Sequence, residues 1–501
     1  MTILQRKDLY LLSFLFLVII LIFYPVCFTE YVYTDEVNQL WSYRPGSGFM
    51  MFAYQGRWLT ELMVSKTFSA IDSFHGITYI RILSLAIYMV CMPIWYVIIK
   101  RLVARGAGYE YLPFFACLYL VTSLPFAITV QWASCVEMAI ANTAGLLSGG
   151  IWCLAIRDKE KFWSIPVPAA LGAVGAGLIS LFAYQSGFGC FVIPFLIHYL
   201  SAYTTRKDMV FIKGMAFYFA MYALYFVLFK ISLVIGHIGS DPRTGVTDDV
   251  PGKITYFLRE PVQRAFWFNI IMKYGKLSWI ISKVLMVGWV LVTFIRFGKK
   301  NWLLAVKHVA VGAGALVLSF LVSLVVKENY PSNRTMLAID MCAFILWAEM
   351  ILYIVKNIQW RRVIGFSVAV VLLIAGWYNF NKQFLQPVHK EYMAAKNYIQ
   401  QHYNKNITTV YFIMASQEAF MKEFHIVSSM DEFGVPSTAF DWVPENFTQQ
   451  LVYEKTGNRE TAKQLIVKFW HDANEFANSG ERVTDSTLVV NMPEIIDSLN
   501  P

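Results

Sequence analysis

The chain has 501 residues, of which 57% are hydrophobic, 16% aromatic and only 15% charged. Soluble domains carry about 25% charged residues, so this composition excludes an ordinary soluble protein and favours one that spans a lipid bilayer. The net charge of +9 does not indicate nucleic-acid binding, because the basic residues stand in short clusters between apolar runs, where they set membrane topology. All seven cysteines lie in apolar stretches, so a disulfide framework is not expected.

Apolar runs of spanning length predict about eleven transmembrane helices. The first follows Arg6 and Lys7, and its length of roughly 20 residues indicates a retained helix rather than a cleaved signal peptide. The predicted spans are residues 9–28, 77–99, 111–130, 134–156, 164–182, 187–203, 209–236, 277–296, 302–326, 335–355 and 362–380.

Short basic clusters follow every second predicted helix, as the positive-inside rule requires. They are Lys100, Arg101 and Arg105; Arg157, Lys159 and Lys161; Arg206 and Lys207; Arg296, Lys299 and Lys300; and Lys356, Arg361 and Arg362. This alternation predicts a cytoplasmic N-terminus. It places three long segments on the outer side: residues 29–76, 237–276 and 381–501.

The last of these segments changes character. Polar periodic stretches at residues 388–403, 444–455 and 461–473 predict helices, whereas residues 408–414 and 487–491 are typical of strands. The predicted fold is therefore an α-helical polytopic membrane domain over residues 1–380, followed by a small extracytoplasmic α/β domain over residues 381–501.

Polar residues at the outer helix ends are candidates for function, because charges near the hydrocarbon layer are costly. The adjacent carboxylates Asp35 and Glu36 follow the first helix; they suit a general base, a divalent-cation site or simply solvated loop charges. Arg57, beside Trp58, suits either a forked contact to a phosphate or an anchor at the lipid interface. Tyr184 and Gln185, at the turn between the fifth and sixth predicted helices, suit sugar contacts or turn capping.

Three further charged residues fall in the outer halves of predicted helices. Arg334 occupies the first turn of the tenth helix, beside the positive end of its dipole, and such an arginine calls for a compensating anion. Lys230 suits either a phosphate contact or a side chain that snorkels to the interface. Glu137 is expected to face the bundle interior.

The sequence contains no Gly-x-x-x-x-Gly-Lys-Ser/Thr loop, no Gly-x-Gly-x-x-Gly and no His-Glu-x-x-His, and its histidines lack a zinc-ligand spacing. No cofactor is assigned beyond a divalent cation at Asp35 and Glu36. Carboxylates beside cationic groups at a lipid surface suit sugar transfer from a lipid phosphate. Cations stabilise the leaving phosphate, and a carboxylate takes the proton of the acceptor hydroxyl.

Three motifs in this order resemble the phage-type serotype-converting O-antigen glucosyltransferase family (type II), of the polytopic GT-C class. They are the acidic pair Asp35-Glu36 followed by Gly56-Arg57-Trp58, then Tyr184-Gln185, then Pro331-x-x-Arg334. The resemblance covers most of residues 1–380. It does not extend to the tail motif that begins at Asp431, for which a role in acceptor recognition is a hypothesis.

The resemblance implies a glucosyltransferase of the bacterial inner membrane with a periplasmic active site. Its donor would be glucose on undecaprenyl phosphate, and its acceptor a lipid-linked glycan such as an O-antigen repeat. Asp35 would be the general base, with Glu36 supporting it or replacing it. Arg57 and Arg334, with Lys230 as a weaker candidate, would bind the donor phosphate, and Tyr184, Gln185 and Glu137 would contact sugar or acceptor.

Two other functions remain alternatives. A lipid-linked sugar flippase or transporter would favour paired charges near the bilayer midplane and inverted repeats, which the sequence does not show. An O-antigen polymerase or ligase would act on lipid-linked sugars at the same face, typically with a large loop late in the chain rather than an acidic first loop.

Overall fold

The computed structural model describes residues 4–103, 109–157, 165–201, 207–239, 241, 245–268, 275–298, 301–329 and 331–499. Of the basic loop residues, Arg105, Lys159, Lys161, Arg206, Lys299 and Lys300 lie outside these ranges. Within them, eight helices are long and apolar enough to cross a membrane, and a bent helix pair makes a ninth candidate.

The helices up to the middle of the chain are α1 (Arg6–Phe23), α2 (Asp35–Ser42), α3 (Trp58–Ser69), α4 (Phe74–Leu102), α5 (Leu112–Thr122), α6 (Leu124–Gln131), α7 (Met138–Ile156), α8 (Val167–Ala183), α9 (Val192–Ser201) and α10 (Lys207–Gly236). The remaining helices of the membrane region are α11 (Val250–Arg259), α12 (Pro261–Phe266), α13 (Lys276–Thr293), α14 (Trp302–Ser319), α15 (Leu321–Val325), α16 (Asn333–Ile354) and α17 (Ile358–Tyr378).

The polytopic helical architecture is confirmed, whereas the count of about eleven spans is not. Eight of the predicted spans coincide with the eight apolar helices. Residues 111–130 fall on α5 and α6, which meet at an angle of 50°. Residues 164–182 fall on the shorter helix α8, and residues 187–203 on a 3₁₀ segment (Gln185–Phe191) followed by the ten residues of α9.

The bend between α5 and α6 lies at Ser123, two residues before Pro125. A proline lacks the backbone N–H and its ring clashes with the carbonyl four residues earlier, so the helix breaks there. The break aims α6 towards the first loop (residues 28–73). Its C-terminal residue, Gln131, lies next to the polar residues of that loop.

The last membrane helix does not stop where the bilayer domain was expected to end. Helix α17 continues through a π-helical stretch, Asn379–Leu385, into α18 (Gln386–His402), so that residues 358–402 form one helix. A π-helical turn adds a residue to the turn without breaking the helix. The tail (residues 381–499) is therefore joined to the membrane region by continuous helix rather than by a linker.

The tail contains a small parallel sheet flanked by helices, as expected for an α/β domain. Its strands are β1 (Thr409–Ile413), β2 (Ile466–Trp470) and β3 (Thr487–Asn491), in the order β2-β1-β3, with Thr409 opposite both Ile466 and Thr487. The tail helices that follow α18 are α19 (Gln417–Phe424), α20 (Pro444–Thr456), α21 (Arg459–Lys463), α22 (Ala473–Asn478) and α23 (Met492–Asp497).

One predicted tail helix is wrong. Residues 461–473 were expected to be helical, but the helix α21 ends at Lys463 and residues 466–470 form β2. The stretch Ile-Val-Lys-Phe-Trp is rich in β-branched and aromatic residues, which favour a strand, and pairing with the central strand β1 decides the outcome.

The tail packs against the first loop through buried and half-buried polar contacts. The Glu30 carboxylate accepts a hydrogen bond from Tyr392 at 2.6 Å and pairs with Lys396 at 2.7 Å. The Ser437 hydroxyl donates to the Val32 carbonyl at 2.9 Å. Directly after the loop, the amide of Phe74 donates to the Glu454 carboxylate of the tail at 2.7 Å. Both segments therefore lie at the same end of the helix bundle, which we call the polar end.

A buried carboxylate in α18 holds the tail segment that reaches deepest into the polar end. Glu391 is 1% exposed and accepts hydrogen bonds from the amides of Ser437 (3.0 Å) and Thr438 (2.9 Å) and from the Thr438 hydroxyl (2.7 Å). These bonds fix the C-terminal end of residues 427–438, because a buried amide without a partner is costly.

Replacing Glu391 by alanine should release this segment. Each unsatisfied buried amide costs about 1–3 kcal/mol, so hydrogen exchange of the amides in residues 427–438 should speed up at least tenfold. Mass spectrometry of the full chain in detergent would measure it, with the exposed carboxylate variant Glu418→Ala as the matched control. Equal protection of the segment in wild type and Glu391→Ala would contradict this role.

Candidate active site at the polar end

The two predicted catalytic carboxylates occupy different surroundings. Glu36 is fully buried, and its Oε1 accepts from the Ala133 amide at 2.6 Å while Oε2 accepts from the Tyr33 amide at 2.8 Å and from Arg81. Burial raises the pKa of the Glu36 carboxyl to about 7, against the opposing charge of Arg81. Both oxygens are therefore committed to protein donors.

Arg81, on α4, completes this buried ion pair. Its Nη1 donates to the Tyr31 carbonyl at 2.9 Å and its Nε to the Gln131 carbonyl at 3.2 Å, while its guanidinium lies 3.5 Å from the centre of the Tyr31 ring. Sequence reasoning missed Arg81. The signal was present, since an arginine inside the predicted span 77–99 needs a partner within the bundle.

Asp35 lies beside this pair but is only half-buried, as the first residue of α2. The preceding residue, Thr34, has φ of +42°, a conformation that is strained for a β-branched residue and is often found at functional sites. The strained turn separates the adjacent carboxylates, because Glu36 enters the protein interior and Asp35 stays nearer the surface.

Arg57 is held in an aromatic and acidic niche. Its Nη2 pairs with the Glu137 Oε1 at 2.6 Å, and its guanidinium lies over the rings of Phe52 (4.6 Å) and Tyr184 (4.4 Å). Glu137 is fully buried, as expected for a residue facing the bundle interior, and within the described ranges its Oε2 has no hydrogen-bond partner. The Arg57 side chain keeps 12% of its surface exposed.

The glycine before Arg57 allows this arrangement. Gly56 has φ of +75°, and a Cβ there would collide with the Tyr225 hydroxyl and the Phe229 ring on α10. Tyr225 also fixes Gln185, whose side-chain amide donates to the Gln55 carbonyl and to the Tyr225 hydroxyl, both at 2.7 Å. Gln185 therefore lies next to the loop segment that carries Arg57.

Arg334 is held by the tail. Glu432 accepts hydrogen bonds from the amides of Asn333 (2.7 Å) and Arg334 (3.3 Å), and its Oε1 lies 3.4 Å from the Arg334 Nε. The anion expected at the N-terminus of this helix is thus a carboxylate more than ninety positions away. Burial raises the pKa of the Glu432 carboxyl to about 7, with Arg334 opposing this rise.

A second carboxylate and an aromatic ring complete the surroundings of Arg334. Asp431, 30% exposed, accepts from the Arg334 Nη2 at 3.3 Å, and the guanidinium lies 4.6 Å from the Trp132 ring. The Tyr33 ring stands edge-on to Trp132 at 5.6 Å, and its hydroxyl donates to the Asp431 carbonyl at 2.8 Å. This contact joins the turn before Asp35 to the surroundings of Arg334.

Tyr184 contacts one arginine and lies within the electrostatic reach of the other: the Arg57 guanidinium lies over its ring at 4.4 Å, and the charge of Arg334 acts on its phenol. Burial raises the pKa of the Tyr184 phenol, and the guanidinium charges of Arg334 and Arg57 both oppose the rise. The connecting segment is residues 132–137, because Trp132 contacts Arg334 and Glu137 contacts Arg57. We call Arg57, Glu137, Tyr184, Arg334, Asp431 and Glu432 the two-arginine site.

Lys230 is not part of this group in the described contacts. It is exposed on α10, with its Nζ 5.5 Å and 5.7 Å from the ring centres of Phe226 and Phe229. Neighbouring Val227, Ile231 and Val234 are also exposed, so this face is typical of one that meets lipid, with Lys230 snorkelling.

The described part of the chain contains no group of three or more His, Cys, Asp or Glu residues arranged to hold a metal ion. A divalent cation at Asp35 and Glu36 remains a prediction, and the commitment of Glu36 to Arg81 and two backbone amides argues against it. No protein-family model, curated protein or solved structure matches this chain.

The buried ion pair gives the first test of the site's construction. Arg81→Met leaves the Glu36 carboxylate buried without its partner, and breaking such a pair costs about 3–5 kcal/mol. Its thermal unfolding midpoint in detergent should therefore fall clearly below that of wild type. Adding Glu36→Gln should recover much of the loss, since it removes the uncompensated charge. The exposed Arg362→Met variant is the control; an Arg81→Met midpoint equal to it would refute the anchoring role.

Proposed function

We propose that this protein is a GT-C type glycosyltransferase. It moves a sugar, glucose by the resemblance, from undecaprenyl phosphate to a lipid-linked glycan such as an O-antigen repeat. The observation that carries the proposal is that residues 132–137 hold Arg334 at one end, through Trp132, and Arg57 at the other, through Glu137, with the Arg57 guanidinium over the Tyr184 ring at one end of a membrane helix bundle. Two guanidinium groups beside an aromatic ring suit a phosphate that bears a sugar.

The proposed location is the periplasmic face of the bacterial inner membrane. The described basic residues Lys100, Arg101, Arg157 and Arg296 stand at the helix ends away from the polar end. By the positive-inside rule that opposite end is cytoplasmic. A lipid-phosphate donor also explains how the chain would work where no nucleotide sugar is supplied.

Asp35 is the better candidate for the general base. Glu36 has both oxygens engaged by buried donors, whereas Asp35 is half-buried at the rim of the same turn. In the proposed step the acceptor hydroxyl gives its proton to the Asp35 carboxylate as its oxygen bonds to the sugar's anomeric carbon. The bond from that carbon to the phosphate oxygen breaks, and the phosphate leaves with the electron pair.

The arginines would stabilise that leaving group. In the structure each is neutralised by protein carboxylates, Arg57 by Glu137 and Arg334 by Asp431 and Glu432. Asp431 is the most exposed of these carboxylates. The donor phosphate would therefore take its place beside Arg334 and receive charge-assisted hydrogen bonds that strengthen as negative charge develops.

Asp35→Asn should abolish sugar transfer while donor binding persists. Purified full-length protein would receive labelled undecaprenyl-phosphate glucose and a lipid-linked acceptor, and product would be followed by chromatography. We expect transfer to fall at least a hundredfold, since a positioned base contributes about 10²–10⁴-fold, and donor affinity to change less than twofold. Glu328→Gln, an exposed carboxylate at the same end, is the control.

Three results would contradict the proposal in different ways. Transfer by Asp35→Asn at the wild-type rate would remove it as the base. No transfer by wild type from any polyprenyl-phosphate sugar would overturn the donor assignment. Joining of two lipid-linked glycans, without use of the monosaccharide donor, would point to the polymerase or ligase alternative, and passage of labelled lipid across vesicles to a flippase.

A further inference from the structure

A cleft of about 180 Å³ opens in the first loop, between the end of α2 and the end of α3. Arg44, Lys66, Phe49 and the serines Ser47, Ser65 and Ser69 are among its lining residues. No carboxylate is among the described residues of this lining. The cleft is therefore cationic, and none of its lining residues belongs to the two-arginine site.

The guanidinium of Arg44 has hydrogen-bond donors that no described residue accepts. Its Nη1 donates to the Ile71 carbonyl at 3.1 Å, which fixes the side chain, but its buried Nε and Nη2 have no hydrogen-bond partner among the described residues. Burial lowers the pKa of the Arg44 guanidinium, while Tyr453 and Asp72 oppose that shift without forming an ion pair with it in the described part of the chain. A half-buried cation with buried, unused donors calls for an anion.

Other cations around the cleft add to this imbalance. Lys66 is exposed in the last turn of α3 and forms no ion pair within the described ranges. Arg459 of the tail stacks on Trp41 at 4.0 Å; burial and the charge of Arg44 both lower the pKa of its guanidinium. Because like charges repel, an anion bound at Arg44 would stabilise both guanidinium groups.

We propose that this cleft, the Arg44 cleft, binds a phosphate group of the acceptor lipid. The inference rests on the proposed function and deepens it. Transfer between two lipid-linked sugars brings two phosphate-bearing lipids to one face of the membrane. Because their charges repel, each requires its own cationic site. The two-arginine site serves the donor, and the Arg44 cleft serves the diphosphate of the acceptor.

The two proposed anion sites are joined by a hydrogen-bonded part of the first loop. Tyr43, next to Arg44, donates to the Glu61 Oε1 at 3.0 Å, and the Glu61 Oε2 accepts from the Phe52 amide at 2.7 Å. The Phe52 ring lies under the Arg57 guanidinium. Glu61 therefore fixes the loop that carries one arginine of each site, and the acceptor would be held beside the donor.

The size of the cleft indicates which part of a ligand it accepts. Pockets for whole small molecules measure about 300–1,000 Å³, so 180 Å³ suits a charged group of a larger molecule. Phosphate oxygens match the forked guanidinium of Arg44 and the ammonium group of Lys66. The same chemistry is offered by an acceptor diphosphate and by an anionic phospholipid headgroup, and experiment can separate these sources.

Inorganic pyrophosphate is the first probe, titrated calorimetrically at pH 7.5 into the full chain in neutral detergent. Arg44→Gln and Lys66→Gln should each weaken its binding at least tenfold. Arg334→Gln, which alters the donor site, should leave the binding step of the cleft in place, and Lys327→Gln, at an exposed lysine elsewhere in the polar end, should change it less than twofold. Because Lys66 is exposed, its variant tests the cleft even if Arg44→Gln fails to fold.

In the transfer assay, Lys66→Gln should raise the KM for the lipid-diphosphate acceptor about tenfold and leave the donor KM unchanged. Pyrophosphate affinity that is equal in all variants, or lost only in Arg334→Gln, would overturn the cleft as an anion site. An affinity that appears only in nanodiscs containing phosphatidylglycerol, and not with pyrophosphate, would overturn the acceptor in favour of a lipid headgroup. Failure of wild type to transfer any sugar would sink the proposed function, while pyrophosphate binding would still report on the cleft.

Discussion

The ion pair between Glu36 and Arg81 joins three parts of the polar end that are distant in sequence. The carboxylate is bonded to the first loop and to the Ala133 amide, and the guanidinium is bonded to the carbonyls of Tyr31 and Gln131. All of these groups are buried, so each must be satisfied for the others to be stable. The pair thereby fixes residues 132–137, which contact Arg334 at one end and Arg57 at the other.

The tail is the second support of the site. Glu432 supplies the anion at the N-terminus of α16, where four backbone amides lack partners within the helix, and it holds the Arg334 side chain as well. Glu391 anchors the same segment from the other side. A tail that would otherwise be read as an accessory domain thus forms part of the two-arginine site.

The positions of the apolar helices and of the polar groups at their ends could be predicted from the sequence, because hydropathy and loop charge are local properties of the chain. It also placed β1, β3 and α20 of the tail. It missed β2, whose strand state depends on pairing with β1, and it missed Arg81, Asp431 and Glu432 as partners of the predicted residues. Those partnerships join positions up to ninety-eight residues apart, and no local pattern encodes them.

The two predicted carboxylates show the same contrast between local position, which the sequence predicts, and three-dimensional surroundings, which it does not. Their position beside the first helix follows from sequence, but their neighbours do not: Glu36 is sealed by Arg81, while Asp35 stays near the surface behind a strained Thr34. Local residue type could not separate a structural carboxylate from a candidate base. The three-dimensional surroundings of each carboxylate favour Asp35.

The most direct test of the central claim is a cryo-electron microscopy structure of the full chain in nanodiscs with undecaprenyl-phosphate glucose bound. The donor phosphate should lie between the guanidinium groups of Arg57 and Arg334, with the sugar beside Tyr184 and with Asp431 displaced from Arg334. A phosphate bound away from both arginines, or at the opposite end of the helix bundle, would contradict the account.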